Sequence, residues 1–187
     1  ALDEFLRLQM RGELRRLQQE LGITFIHVTH TQLEAIAVAD IVVVMEHGRI
    51  AQAGAAPEIY TLPRNAYVAR FMGGHNVLSG TVTTVTHGMA TLVSASGERY
   101  AMLLPTQTVT VDNTVYCSIR RDRITVIKAP PCGAAMPAES NAIGGTVQAI
   151  EYQGAYVKVT MQRPEHEDFV AHVADGDFFT QHLDIGD

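Results

Sequence analysis

The chain has 187 residues, 14 basic against 20 acidic, for a formal net charge of −6. That balance disfavours a nucleic-acid-binding module, whose phosphate contacts need a basic field. Hydrophobic residues make up 47%, enough for one ordinary core or two small ones, and no apolar run approaches the roughly 18 residues of a membrane-crossing helix.

The charge is uneven: seven basic against eight acidic residues in 1–75, and seven against twelve in 76–187. Cys117 and Cys132 have no metal-ligand spacing and read as free thiols of a reducing compartment, not as a disulfide framework.

The opening "ALDEFLRLQMRGELRR" is charged and amphipathic, unlike a signal or transit peptide. It lacks an initiator Met and is expected to be the start of a fragment. Leu6, Met10, Leu14, Leu17 and Leu21 follow helical spacing and predict one apolar, core-facing stripe, with Arg7, Arg11 and Arg15 on another face. Gly22 suits the residue that ends this helix. Ile23–Val28 is apolar at nearly every position and predicts a buried strand covered on both faces.

Thr31-Gln32-Leu33-Glu34 predicts a capping box and a short helix ending near Asp40. "IVVVM" at 41–45 predicts a second buried strand, and Glu46–Arg49 a turn into a hairpin partner at 50–53. Pro57 suits the first turn of a helix, and Asn65 the cap of another, which Gly73-Gly74 ends.

This order reads as the tail of an α/β domain whose remaining sheet lies N-terminal to Ala1. His30 then falls at the carboxyl end of a strand and just before a helix. Ligands of open α/β sheets bind at such ends, and a helix N-terminus suits an anion. A histidine that only bonds a loop carbonyl is the alternative, and placement alone does not separate the two. His27 and His30 lie on opposite faces of an extended strand, so a shared zinc is not expected.

From Val77 the texture becomes all-β. Strands are predicted at 80–86, 89–94, 99–104, 115–120, 124–128, 145–152, 155–162 and 169–173, with turns at His87-Gly88 and Ser96–Glu98. The stretch 129–141, "APPCGAAMPAESN", reads as a linker or exposed loop. "NVLSGTVTTV" at 76–85 and "NAIGGTVQAI" at 141–150 share N-x-[L/I]-x-G-T-V-x-x-[V/I], 65 residues apart. The match predicts two related β-units sharing a core.

Arg120, Arg121 and Arg123 are the one dense basic cluster of this part. They suit an anionic effector or a partner carboxylate, but a solvated strand end paired with Asp122 is the stronger reading. His166, Glu167, Asp168 and His172 resemble a metal set but read as a charged hairpin turn. Cys132 reads as an exposed loop thiol without a catalytic base.

Taken together, "ALD" at 1–3, "VTHTQLEA" at 28–35 and "ADIVVVMEHGRIAQAGAAPEIYTLPRNAYVARFMGGHN" at 39–76 resemble the ATP-binding subunits of ABC importers with a C-terminal TOBE domain, of which the spermidine/putrescine branch is most similar. The resemblance implies a fold of α/β plus all-β: the C-terminal piece of a P-loop ABC ATPase domain over 1–75, then an OB-like TOBE β-barrel over 76–187. It implies that His30 is the switch histidine that contacts the γ-phosphate, and that Asp3 is the D-loop aspartate that reaches across a nucleotide-sandwich dimer. Thr31 and Leu33 stand where the family usually has Asp and Glu.

The implied reaction couples hydrolysis of ATP, with Mg2+, to solute uptake. Implied partners are a second ATPase subunit in a homodimer, transmembrane permease subunits and, indirectly, a periplasmic solute-binding protein; the implied place of this subunit is cytoplasmic, at the inner face of the cell membrane. No G-x-x-x-x-G-K-[S/T] occurs in the 187 residues, nor a transporter signature or Walker B strand. The chain by itself is therefore expected neither to bind ATP tightly nor to hydrolyse it. The rival expectation is a non-enzymatic, ligand-binding or regulatory β-module with an α/β dimerisation arm.

Overall fold

The computed structural model describes residues 4–104, 109–128, 141–163 and 167–187. Asp3, Cys132 and His166 lie outside them. The chain divides into two compact units, Ala1–Gly73 and Gly74–Asp187.

The first unit begins with helix α1, Glu4–Leu21. It ends where expected: Gly22, at φ +62°, donates its N–H to Gln18 O at 3.0 Å. Two expectations fail nearby. Met10, Leu14, Leu17 and Leu21 are not core but substantially exposed, because the short helix α2 (Gln32–Val38) is the main element packed on α1 within the unit.

Residues 23–29 form no strand, and no parallel α/β sheet is present among the described residues. A doubly covered strand needs hydrogen-bonding neighbours and packed faces. This segment has neither, so Ile26 and Val28 are each 91% exposed.

What does form is a hairpin. Strands β1 (Val42–Glu46) and β2 (Arg49–Gly54) pair antiparallel. His47 and Gly48 both take positive φ, +47° and +76°, as a type I′ turn demands. Burial alternates along β1, so the ribbon is covered on one face only, not on both as expected.

Val42 and Val44 pack with Ala56 and Ile59 of α3 (Ala56–Thr61), with Val68 of α4 (Ala66–Phe71), and with Met72. Asn65 caps α4, its Oδ1 accepting from Val68 N at 2.8 Å. Buried Gln52 closes the 62–64 loop, donating to Leu62 O at 3.1 Å and accepting from Arg64 N at 2.8 Å.

The second unit is an OB-like, all-β fold built of two antiparallel sheets. Strands β3 (His75–Thr86), β4 (Met89–Val93), β5 (Arg99–Leu103) and β6 (Thr114–Arg120) lie in the order β5-β4-β3-β6. Strands β7 (Thr146–Tyr152), β8 (Tyr156–Gln162) and β9 (Phe169–Ala174) form the second sheet in chain order. The expected strand at 124–128 does not form: a 3-10 turn, Arg121–Arg123, leads into irregular chain there. Ile124 and Val126 there pack into the core of the second sheet. A short helix α5, Asp175–Gln181, was not anticipated: seven residues holding Gly176 and two aspartates carry no readable helical period.

The internal echo corresponds to equivalent structure. Each repeat starts a strand with an extra residue after its buried valine: register shifts lie between Val82 and Thr84 in β3 and between Val147 and Ala149 in β7. Gly80 and Gly145 occupy matching close approaches. A Cβ would meet Val93 O at 2.8 Å in the first and Gln162 O at 3.1 Å in the second.

The repeated asparagines clasp the halves reciprocally. Asn76 of the first half brackets Val170 of β9, donating to its O at 2.7 Å and accepting from its N at 2.9 Å. Asn141 of the second half brackets Ala101 of β5 at 2.7 Å in both directions. Two cores result, one around Val82, Leu92 and Tyr100, the other around Val147, Val157 and Val159. Ile143, from the second repeat, packs against the first core.

Candidate functional site

His30 follows the unpaired segment and immediately precedes Thr31, the N-cap residue of α2. Its side chain is exposed. The expected position at a sheet rim is corrected, since no sheet borders residues 23–29. Helix α2 has seven residues, too short for its N-terminus to count as an anion site.

The expected capping box is also replaced. Thr31 makes no side-chain cap bond, and its own N–H donates to Thr29 Oγ1 instead of to Glu34. Thr29 Oγ1 donates to Glu34 Oε2 at 2.5 Å and accepts from Thr31 N at 3.0 Å. The Thr31 hydroxyl lies 3.1 Å from Thr29 Oγ1. Arg11 of α1 approaches Glu34 Oε1 at 3.6 Å, and His27 Nε2 lies 4.0 Å from Oε2.

The hydroxyls of Thr29 and Thr31, and then Arg11, hold the Glu34 carboxyl at about 2, well below its ordinary 4.5. Hydrogen bonds to the charged form have this effect. His30 is thus carried on a short loop whose two ends are tied to one ionised carboxylate. Nothing in the sequence pattern pointed to Thr29, whose partner lies five residues on; the Thr-x-x-Glu spacing suggested a different pairing for Glu34.

An imidazole so displayed can donate to a phosphate oxygen or accept from an attacking water. The same loop does not fit Mg2+ ligation, because its one carboxylate already takes the hydroxyl and the guanidinium. Among the described residues no group of three or more His, Cys, Asp or Glu side chains converges on a metal position. Asp3 lies outside the described residues.

In the second unit, Arg120 donates to Asp122 through Nε at 2.9 Å and a terminal nitrogen at 2.5 Å. That pairing lowers the Asp122 carboxyl and is the strand-end arrangement favoured from the sequence. His75, opposite Arg120 in the β3–β6 ladder, is buried. Burial first, then Arg120 and Arg121, lowers its pKa. His172 stacks on Tyr156 at 4.2 Å, and burial and Arg121 lower its pKa too.

Sequence reasoning missed Arg163, which is buried and bonds to both Glu98 and Tyr100 across the two halves. Its guanidinium also lies 5.7 Å from the Phe169 ring centre. Cys117 is a free thiol pushed up by burial. No helix among the described residues is long and apolar enough to cross a membrane.

Residues 117–187 match the TOBE domain family. Along the chain, the spermidine/putrescine import ATP-binding protein PotA of Thermobifida fusca is 33% identical over 187 residues, all of this chain and 47% of its own length. The protein of the same name from Rubrobacter xylanophilus is 35% identical over 92% of this chain and 44% of its own. That from Oleidesulfovibrio alaskensis is 54% identical over 48% of this chain and 24% of its own.

The chain thus spans less than half the length of these relatives. Among solved structures, the cytoplasmic molybdate-binding protein ModG, with molybdate bound, superposes with a TM-score of 0.52 at 18% identity, covering 59% of this chain and 84% of that one. This last likeness is one of fold. Residues 117–187 thus belong to the TOBE domain family, and along its length the chain is similar to part of the spermidine/putrescine import ATP-binding proteins, less than half of their own length.

Proposed function

We propose that this chain forms part of an importer ATPase that couples ATP hydrolysis to uptake of a polyamine. Residues 1–75 act as part of the nucleotide-binding domain, and residues 76–187 as the regulatory TOBE-type unit. The observation that carries this reading is the similarity, along all of this chain, to part of a spermidine/putrescine import ATP-binding protein. The exposed, tethered His30 supports it chemically.

In this reading His30 contacts the terminal phosphate of ATP and keeps the attacking water in register. Asp3 reaches toward the facing subunit of a homodimer. Phosphoryl transfer works mainly through positioning and charge neutralisation. The phosphate cradle and the Mg2+ ligands therefore come from residues outside these 187, and the chain alone turns over no ATP. Permease subunits in the membrane and, indirectly, a periplasmic solute-binding protein complete the assembly, with this subunit at the cytoplasmic face.

Uptake tests this reading. Cells lacking the gene, resupplied with the complete subunit, are compared for labelled spermidine, ferric iron and maltose. ATP-dependent recovery of spermidine uptake alone is expected. Recovery of iron or sugar uptake instead rejects the polyamine assignment. Absence of any recovery favours the non-enzymatic β-module.

A further inference from the structure

Glu34 gathers groups from three places: the Thr29 hydroxyl just before His30, the Arg11 guanidinium on α1, and His27 in the unpaired segment. Its own backbone belongs to the first turn of α2. His30 is exposed, and its loop backbone sets the region that the ring can reach. That backbone is held on both sides by one oxygen, Thr29 Oγ1, which accepts from Thr31 N–H while donating to Glu34. A hydroxyl that donates once and accepts beside it is bonded at nearly its full capacity. Turning the loop would break the Thr31 amide bond or the charge-assisted bond to Glu34, the stronger kind.

We infer that Glu34 is a positioning residue for His30: through Thr29 it fixes the 29–31 loop, and through Arg11 it ties that loop to α1. The inference rests on the reading of His30 given under the proposed function and adds how the ring is held. Glu34 touches no substrate in this account. It stays ionised throughout the neutral range, its carboxyl held at about 2, so the clasp does not loosen between pH 5 and 8. A transferring phosphoryl group is sensitive to small displacements: a misplacement of about 1 Å costs on the order of a hundredfold in rate.

The test uses Thr29→Val, nearly isosteric and without the hydroxyl, Thr29→Ser, which restores it, and Glu34→Gln as a second variant. In the 187-residue chain, exchange of the Thr31 amide is expected to be about tenfold faster in Thr29→Val and close to wild type in Thr29→Ser, as for loss of one hydrogen bond of about 1.4 kcal/mol. An unchanged rate in Thr29→Val overturns the clasp.

In the complete ATPase subunit, Thr29→Val and Glu34→Gln are expected to lower kcat about tenfold at unchanged KM for ATP, with Thr29→Ser restoring kcat. His30→Ala, measured alongside, separates the two claims. If it abolishes turnover while Thr29→Val leaves kcat intact, the positioning role falls and the reading of His30 stands. If turnover survives His30→Ala, both fall.

Discussion

The two units use the same stock of aliphatic residues to opposite effect. In the second, both sheets cover a closed core, Ile143 and Val126 cross from one half into the core of the other, and paired asparagines and a buried arginine clasp the halves together. In the first, only one face of the β1–β2 ribbon is covered. Ile41, Val43, Met45 and Ile50 stay exposed, beside the wholly unpaired Ile26 and Val28. Apolar area contributes only where it leaves water, at about 25 cal/mol per Å2, so hydrophobic content by itself does not tell which unit is self-sufficient. Pairing does.

The sharpest way to break this contrast is to empty a core of the second unit. Leu92 is fully buried, and Leu92→Ala is expected to cost about 3 kcal/mol in urea unfolding followed by resonances of that unit. A cost below about 1 kcal/mol would mean that the first half has no fixed core.

Next come the clasps. Asn76 is buried and Asn141 exposed, although both bracket one residue of the opposite half. Asn76→Ala leaves a buried backbone N–H and C=O unpaired and is expected to cost about 2 kcal/mol, against about 1 kcal/mol for Asn141→Ala, where water can substitute. Equal costs would show that the duplication is symmetric in energy as well as in geometry.

Acid distinguishes the units by a smaller effect. His75 and His172 are held below the ordinary 6.5, so the unfolded chain binds protons first. Their contribution is complete above pH 6.5 and declines as the pH falls below it. The neighbouring charges are Arg120, Arg121 and Lys158 against Asp122. Glu34 in the first unit is depressed instead, so its contribution is complete above about 4.5 and is lost only toward about 2. Urea midpoints read unit by unit between pH 7 and 5 should fall for the second unit and flatten when both histidines are replaced by Gln.

The smallest effect belongs to the first unit. Ile26→Ser and Val28→Ser remove 91%-exposed side chains and are expected to change stability by less than about 0.5 kcal/mol. Self-association, followed by sedimentation, should nevertheless decrease, because an unpaired apolar segment invites pairing with another chain. A large loss of stability would show that the segment is packed in solution.

What the sequence made legible follows the same division. Local devices were readable: Gly22 and Asn65 at helix ends, the His47-Gly48 and His87-Gly88 turns, and the repeat that became matched bulges after Val82 and Val147. Each depends on a few adjacent residues. The expected strand at 23–28 failed because a strand depends on partners that its own residues cannot specify. The apolar stripe of α1 was mistaken for core for the same reason. His30 was singled out from its position before a helix. Thr29, Glu34 and Arg11, which hold its loop, were not, because they meet through a bond across five residues and an ion pair across 23. Arg163 was equally hidden, since its partners Glu98 and Tyr100 lie in the other half.

The account rests on His30 acting on the terminal phosphate. The direct measurement is steady-state ATP hydrolysis by the complete subunit, wild type against His30→Ala, at saturating ATP and Mg2+, with nucleotide affinity measured in parallel. Turnover should fall by about a hundredfold or more, the scale of losing a positioned acid–base group, while affinity stays within a few-fold. Turnover equal to wild type would contradict the account.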